Sequence, residues 1–375
     1  MNRTHLYCES NFQPAQRFRT GISLHSHTLH SKESLNFIYP VANRIPAISW
    51  ILKKGEEKYR AANGKELDLN RAWWTPPLGA HHAWTVETAQ IHDRFGLDSI
   101  VSLTDHDDVE APASLQVLDE CQGAPISVEW TVPYHPTFFH IGVHNLPAQT
   151  ARSTMSTLER YTAGASDVPL EAIFEQLAAS PETLIVFNHP NWDEGGIGAH
   201  VHAALARQFA KAYGQYLHAF ELNGLRPWSE NRTIFELARL FQKPLISGGD
   251  RHGIEANTLL NLTNAKTFAE FAKEVREGYS EVFVTKQYLE PFSARIWQNV
   301  EDVLRPLNNH AYGWRRWNDR AFFICEDGVT RPLSQVWENE PLGIHLFTWS
   351  LSFLRHAQFQ NAFRATFARR EEVAW

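Results

Sequence analysis

Residues 22–27 read ISLHSH, a short apolar and β-branched run that ends in two histidines one position apart; a third, His30, follows three positions later. Side chains two apart on an extended segment project to the same side, so His25 and His27 would present their rings together. Such a pair suits a metal ion, yet a lone pair is nearly as often a surface accident. The rest of the chain has to decide between the two.

The arrangement recurs. Short apolar or β-branched runs at 22–24, 99–103, 126–128, 138–143, 184–187, 219–222, 245–247 and 282–284 read as strands, and helical patterning fills 86–95, 170–178, 203–216, 231–241 and 268–277. Strand and helix in alternation predict an α/β protein with a parallel sheet or barrel. Histidines and acids stand at or near the ends of these runs: Asp105 and His106 after SIVSLT, Glu129 after PISV, His140 within TFFHIGV, His189 after TLIVFN, Asp250 and His252 after PLISGG. In an α/β barrel the strand C-termini converge on one face, so these segments would deliver imidazoles and carboxylates to one mouth. Each alone has a bland account. TDHD can be a solvated turn, NHP a turn before Pro190, and Asp250 after Gly248 and Gly249 a helix cap. Six coincidences at one topological position are hard to sustain. Imidazole with carboxylate selects Zn, Mn or Fe over Ca or a thiolate-bound ion.

Composition sets the bounds. A chain of 375 residues with 43% hydrophobic content can bury one large core or two smaller ones. Cys8, Cys121 and Cys325 lie far apart, so neither a disulfide framework nor a zinc knuckle is readable, and a metal would rest on histidine and carboxylate. The net charge of -7 argues against broad nucleic-acid binding. No apolar run reaches a membrane span and MNRTHLYCES lacks the hydrophobic centre of a secretory signal, so a cytoplasmic protein with no membrane partner is expected. Two regions break the rhythm. Residues 36–80, rich in Trp, Pro and Lys, read as an insertion; the chain after about 291 lacks regular strand signals and reads as a mostly helical C-terminal extension. The expected division is 1–290 and 291–375.

The ordered motifs HSH at 25–27, TDHD at 104–107, VEW at 128–130, FHIGV at 139–143, NHP at 188–190 and GGDRHG at 248–253 resemble those of the polymerase and histidinol phosphatase (PHP) superfamily of metal-dependent phosphoesterases. The resemblance covers roughly 21–285 apart from the insertion. It implies a distorted (β/α)7 TIM-like barrel, two or three divalent metals at the strand C-termini, and hydrolysis of phosphate esters. Position by position it implies that His25, His27, Glu129 and Asp250 surround one metal, that Glu129 bridges to a second held by His140 and His189, and that His106 and His252 serve a third. Where the family commonly has SDG, this chain has Ser31, Lys32 and Glu33, and a protonated lysine cannot ligate. Either Glu33 or His30 substitutes, or the third position is empty and Lys32 contacts substrate phosphate.

Two cations about 3.5–4 Å apart answer the needs of phosphate-ester cleavage, by lowering the pKa of a bridging water and by clamping the phosphoryl oxygens. Within that scheme Glu129 bridges, Asp105 orients a ligand imidazole or the attacking water (or is a turn carboxylate facing solvent), and Arg251 grips phosphate with its planar fork. Arg226 could reach the same mouth, whereas Glu221 orients rather than ligates. His144 reads as a core or supporting residue, and His81 and His82 as structural or exposed. The expected substrate is a small phosphorylated molecule. Two other classes are an amidohydrolase-like enzyme, which usually wants a bridging lysine, and a non-catalytic metal-binding module. For the insertion, Trp50, Trp73 and Trp74 suggest a substrate-selecting cap, with a homo-oligomer contact as the alternative.

Overall fold

The structure is a computed structural model that describes residues 3–35, 46–308, 310 and 312–336. The parts of the insertion and extension readings that fall on 36–45 and 337–375 lie outside the described residues.

Two five-stranded sheets carry the fold. The first runs β1 (Arg3–Cys8), β12 (Tyr279–Val284), β11 (Leu259–Thr263), β2 (Thr20–Ser26), β5 (Asp98–Leu103). The second runs β10 (Leu245–Gly248), β9 (Ala219–Asn223), β8 (Leu184–Phe187), β7 (Thr137–His144), β6 (Val128–Tyr134). β2 is buried at every position, as are β8, β9 and β10, which is why these strands read as continuous apolar runs rather than as alternation. Beneath the second sheet, Phe139, Phe174, Phe187, Phe209 and Phe220 pack the helices Leu170–Ala178 and Ala199–Tyr213 onto it.

Single bridges tie the two sheets together at two places. Ser26 pairs with Arg251, continuing β2 beside the end of β10, and His106 pairs with Glu129, continuing β5 beside β6. Backbone bonds reinforce both joints: His27 N–H donates to Arg251 O at 2.9 Å, and Glu129 N–H donates to Asp105 O at 3.1 Å. Among the described residues the two sheets are thus joined at two points.

Two expectations need correction. The run at 126–128 begins as a strand only at Val128 and continues to Tyr134, then turns at once into β7, so the pair is an antiparallel hairpin rather than two parallel strands. The two residues of the turn include His135 at φ +54°, the backbone that tight hairpins demand. The C-terminal extension also contains strands. β13 (Ala321–Ile324) and β14 (Thr330–Pro332) form a third sheet with β4 (Ala72–Trp74) and β3 (Glu33–Ser34), in the order β14-β13-β4-β3. Insertion and extension thus share one element. Among the described residues no helix is long and apolar enough to cross a membrane.

Candidate metal centre

The centre is built where the two sheets join. His25 and His27 end β2, Asp250 and His252 follow β10, and each pair flanks one member of the Ser26–Arg251 bridge. Those two bridge residues turn elsewhere: Ser26 Oγ and Arg251 Nε both donate to Glu87 Oε1, at 3.1 and 2.7 Å. Their neighbours consequently face the opposite way, into one space. His25, His189 and Asp250 have positive φ values of 64°, 24° and 53°, uncommon for residues with a Cβ and concentrated here at side chains that converge.

The structure brings together His25, His27, Glu33, His106, Glu129, His140, His189, Asp250 and His252. They form four overlapping groups, in each of which the potential ligand atoms lie within 4.8 Å of one another. Glu129, fully buried on β6, is the hub. Its Oε2 lies 2.9 Å from His25 Nε2, 3.3 Å from His27 Nε2 and 3.4 Å from His106 Nδ1; its Oε1 lies 3.1 Å from His189 Nε2 and 3.6 Å from His140 Nδ1. Asp250 Oδ1 is 3.5 Å from both His27 Nε2 and His252 Nδ1. Glu33 occupies the third corner, with Oε2 3.1 Å from His252 Nε2 and 3.4 Å from His106 Nε2. Of the alternatives open after the first motif, Glu33 is thus the residue whose carboxylate enters the cluster.

His189 Nε2 and Glu129 Oε1 make a hydrogen bond, but several of the other contacts do not. His25 Nε2, His27 Nε2, His106 Nδ1, Glu33 Oε1 and Glu129 Oε2 are buried and have no hydrogen-bond partner. Each such group costs about 1–3 kcal/mol when left unsatisfied, more when charged. Nitrogen and carboxylate lone pairs aimed at shared points are what a divalent cation satisfies, so the residues fit metal ions of the imidazole-and-carboxylate class.

The acids and imidazoles of the cluster shift one another strongly. Burial raises the Glu129 carboxyl, but the His25, His106 and His140 imidazoles outweigh it and hold the group well below the ordinary carboxylate range. Glu33 and Asp250 behave likewise, against His252 and His106 in one case and against His27, His25 and His252 in the other. Burial lowers His27 and takes His140 well below its ordinary value, which leaves their lone pairs available. At His25, His106, His189 and His252 the neighbouring acids, chiefly Glu129 and Glu33, outweigh burial and raise the imidazole, so an incoming cation would displace protons there.

An outer layer holds the imidazoles. Glu221 Oε1 lies 2.5 Å from His25 Nδ1, and Oε2 accepts from the His189 backbone N–H and from Asn223 Nδ2. A carboxylate on Nδ1 fixes the tautomer that leaves Nε2 free, the usual support of a metal-binding histidine. Asn188 Nδ2 donates to Glu129 Oε1 at 2.9 Å, and Ser31 Oγ sits 3.2 Å from His27 Nδ1. Sequence reasoning passed over Asn188, Asn223, Ser31 and Glu87 as supports, though the first lies inside the NHP motif.

Other expected residues lie differently. Asp105 neither meets solvent nor touches a ligand ring: its oxygens accept from the Thr28 backbone N–H and hydroxyl, anchoring the turn after His27, and burial pushes its carboxyl up to about 7. Arg251 is 5% exposed and committed to Glu87 and the Gly253 carbonyl, so the expected phosphate grip is replaced by a buried ion pair. Arg226 does stand at the site, its guanidinium 3.4 Å above the Trp192 ring and 3.8 Å from Asp250 Oδ2. Lys32 is exposed at the mouth, 5.7 Å over Trp73. His144 is a core residue bonded to Ser102, and burial drops its imidazole to about 3. His81 and His82 are exposed. The cluster opens on a cleft of about 270 Å³ whose lining includes His30, Lys32, Glu33, His106, Phe138 and His140.

No protein-family model matches the chain, and no curated protein matches it. Solved structures give distant likenesses. PsfC from Pseudomonas syringae PB-5123 is 15% identical over 55% of this chain and 85% of its own, with a TM-score of 0.35. An amidohydrolase from Chromobacterium violaceum, solved with sulfate and without metal, is 13% identical over 68% of this chain and 96% of its own, at a TM-score of 0.36. A protein assigned as a metal-dependent phosphoesterase from Bifidobacterium adolescentis is 13% identical over 54% and 92%, at a TM-score of 0.29. Likeness of this degree carries no conclusion about activity.

Proposed function

We propose that this protein is a metal-dependent hydrolase that cleaves a phosphate ester of a small molecule, and that β2 and β5 to β10 form a distorted (β/α)7 barrel whose weakest joints are the two single bridges. One observation supports the reading most. Glu129 offers Oε2 to His25, His27 and His106 and Oε1 to His140 and His189, the disposition of a carboxylate shared between metal positions. Divalent ions held there would supply Lewis acidity toward a phosphoryl oxygen and toward water.

The chain's own residues do the positioning. Glu221 holds His25 in the ligating tautomer, and Asn188 keeps Glu129 Oε1 aimed at His189 and His140. Arg226, laid flat on Trp192, has a buried Nε without a hydrogen-bond partner, so its fork is ordered before any anion arrives. Lys32 adds a second cation at the mouth. Lys32 in the lining of a cleft of this size, and Arg226 beside Asp250, suit a small phosphorylated substrate. An amidohydrolase-like reaction fits less well, since the shared position holds glutamate where that chemistry usually uses lysine. Trp74, 5.9 Å from the His252 ring, brings the insertion to the mouth and supports its reading as a cap.

The test is a panel of phosphomonoesters, cyclic phosphates and dinucleotides assayed for phosphate or alcohol release with added Zn²⁺ or Mn²⁺. Turnover of at least one phosphate ester is expected. Hydrolysis confined to amides or lactones would assign the other chemistry.

A further inference from the structure

Glu33 is reached by an unusual route. Metal-site residues such as His25, Glu129 and Asp250 sit on or beside the two large sheets, whereas Glu33 belongs to β3, a strand of two residues. A two-residue strand has no stability of its own. Its position comes from pairing: Glu33 stands opposite Trp74 and Ser34 opposite Trp73, and those tryptophans stand opposite Ala321 and Phe322 of β13. β13 in turn pairs with β14.

The C-terminal strands are themselves fastened at two points. Arg71 donates to Glu326 Oε1 and to the Cys325 carbonyl, while Tyr59 and Lys65 also reach the Glu326 carboxylate, so the insertion clasps the β13–β14 turn. At the other end, the Thr75 N–H donates to Arg320 O at 2.9 Å, and the buried Arg320 guanidinium donates to the Thr75 and Val303 carbonyls. The line from Arg320 through β13 and β4 to Glu33 is continuous backbone pairing.

We infer that segment 321–332 of the extension completes the metal centre, by carrying Glu33 through the third sheet to His106 and His252. This rests on the metal-site reading above. The extension is then a positioning element for the ion beside His252, and the positions served by His189 and His140 do not include Glu33.

The full-length chain tests this by stepwise Zn²⁺ titration calorimetry and elemental analysis of wild type, Phe323→Pro, Glu33→Gln and the combined variant. Proline in a central strand removes a ladder donor. Phe323→Pro should weaken one binding step by about 10- to 100-fold, the cost of losing outer support. Glu33→Gln should weaken the same step, the combined variant should lose nothing further, and the remaining steps should stay at wild-type affinity. Wild-type binding by Phe323→Pro, or equal weakening of every step, would overturn the inference. Should Phe323→Pro fail to fold, Arg71→Ala with Glu326→Ala loosens only the exposed clasp; a smaller weakening of that one step is expected, and unchanged binding would overturn the inference. A wild type that binds no Zn²⁺ at all would overturn the metal-site reading as well, which separates the two failures.

Discussion

Nε2 of His25 lies 2.9 Å from Oε2 of Glu129, both atoms are buried, and neither has a hydrogen-bond partner. A protonated imidazole could point its N–H at the carboxylate across that distance, but the geometry does not do so. His27 Nε2, also buried and without a hydrogen-bond partner, lies 3.3 Å from the same oxygen. A shared cation explains all three atoms together.

Glu129→Gln keeps the size of the side chain and removes its charge. Turnover should fall by about a hundredfold or more, beyond the cost of losing an outer-shell partner alone. Stability of the metal-free protein should fall as well, because the His25, His106 and His140 imidazoles, which outweigh the burial of this carboxylate, lose their partner. Metal-saturated kinetics and a thermal melt in chelator check both halves; near-normal turnover would remove Glu129 from the shared position.

Glu221→Gln tests the support of His25 rather than the ligand itself. The amide oxygen can replace only one of the two carboxylate oxygens, so His25 loses its fixed tautomer or the His189 backbone loses its partner. Metal affinity should drop by about 10- to 100-fold with the fold retained, as read by titration calorimetry. Affinity equal to wild type would mean that the His25 ring is held by something else.

Arg251→Met addresses a residue expected from sequence to hold phosphate and found bonded to Glu87. Breaking a buried pair leaves Glu87 uncompensated, and a loss of about 3–5 kcal/mol in unfolding free energy is expected. KM of the folded enzyme should be little changed. A raised KM without loss of stability would restore the substrate role.

His218 lies apart from the proposed site and gives a clean pH signature. Burial, and then Arg276 and Lys243, depress its imidazole from 6.5 to about 3, while Nδ1 accepts the Ile185 N–H at 2.8 Å. The unfolded chain therefore binds a proton that the folded chain refuses between those values. The His218 contribution is fully present above pH 6.5 and is lost as pH falls toward 3. His218→Asn, which can keep the acceptor, should flatten the decline of melting temperature between pH 6.5 and pH 4; an unchanged slope would place the acid sensitivity elsewhere.

The legible part of the fold was the part in which one strand carries its own signal. β2, β5, β8, β9 and β10 are buried apolar runs, and the polar residues at their ends marked the site. The β6–β7 hairpin was misread because Pro133 and the His135–Pro136 turn interrupt what would otherwise be alternation, and strand direction is not written in a single strand. β3, β4 and β13 are too short for a period to show; they exist through pairing, β3 with β4 some 40 positions on and β4 with β13 some 250 positions on. Arg251 was misplaced for a simpler reason. If Asp250 and His252 both face the metals, the residue between them faces away, and alternation alone would have said so.

The central claim is tested most directly by elemental analysis of the purified full-length protein after metal-replete expression, paired with phosphate-ester turnover before and after chelation. Two or three transition-metal ions per chain, activity lost on chelation and activity restored by Zn²⁺ or Mn²⁺ are the expected results. Less than one ion per chain, or turnover indifferent to the chelator, would contradict it.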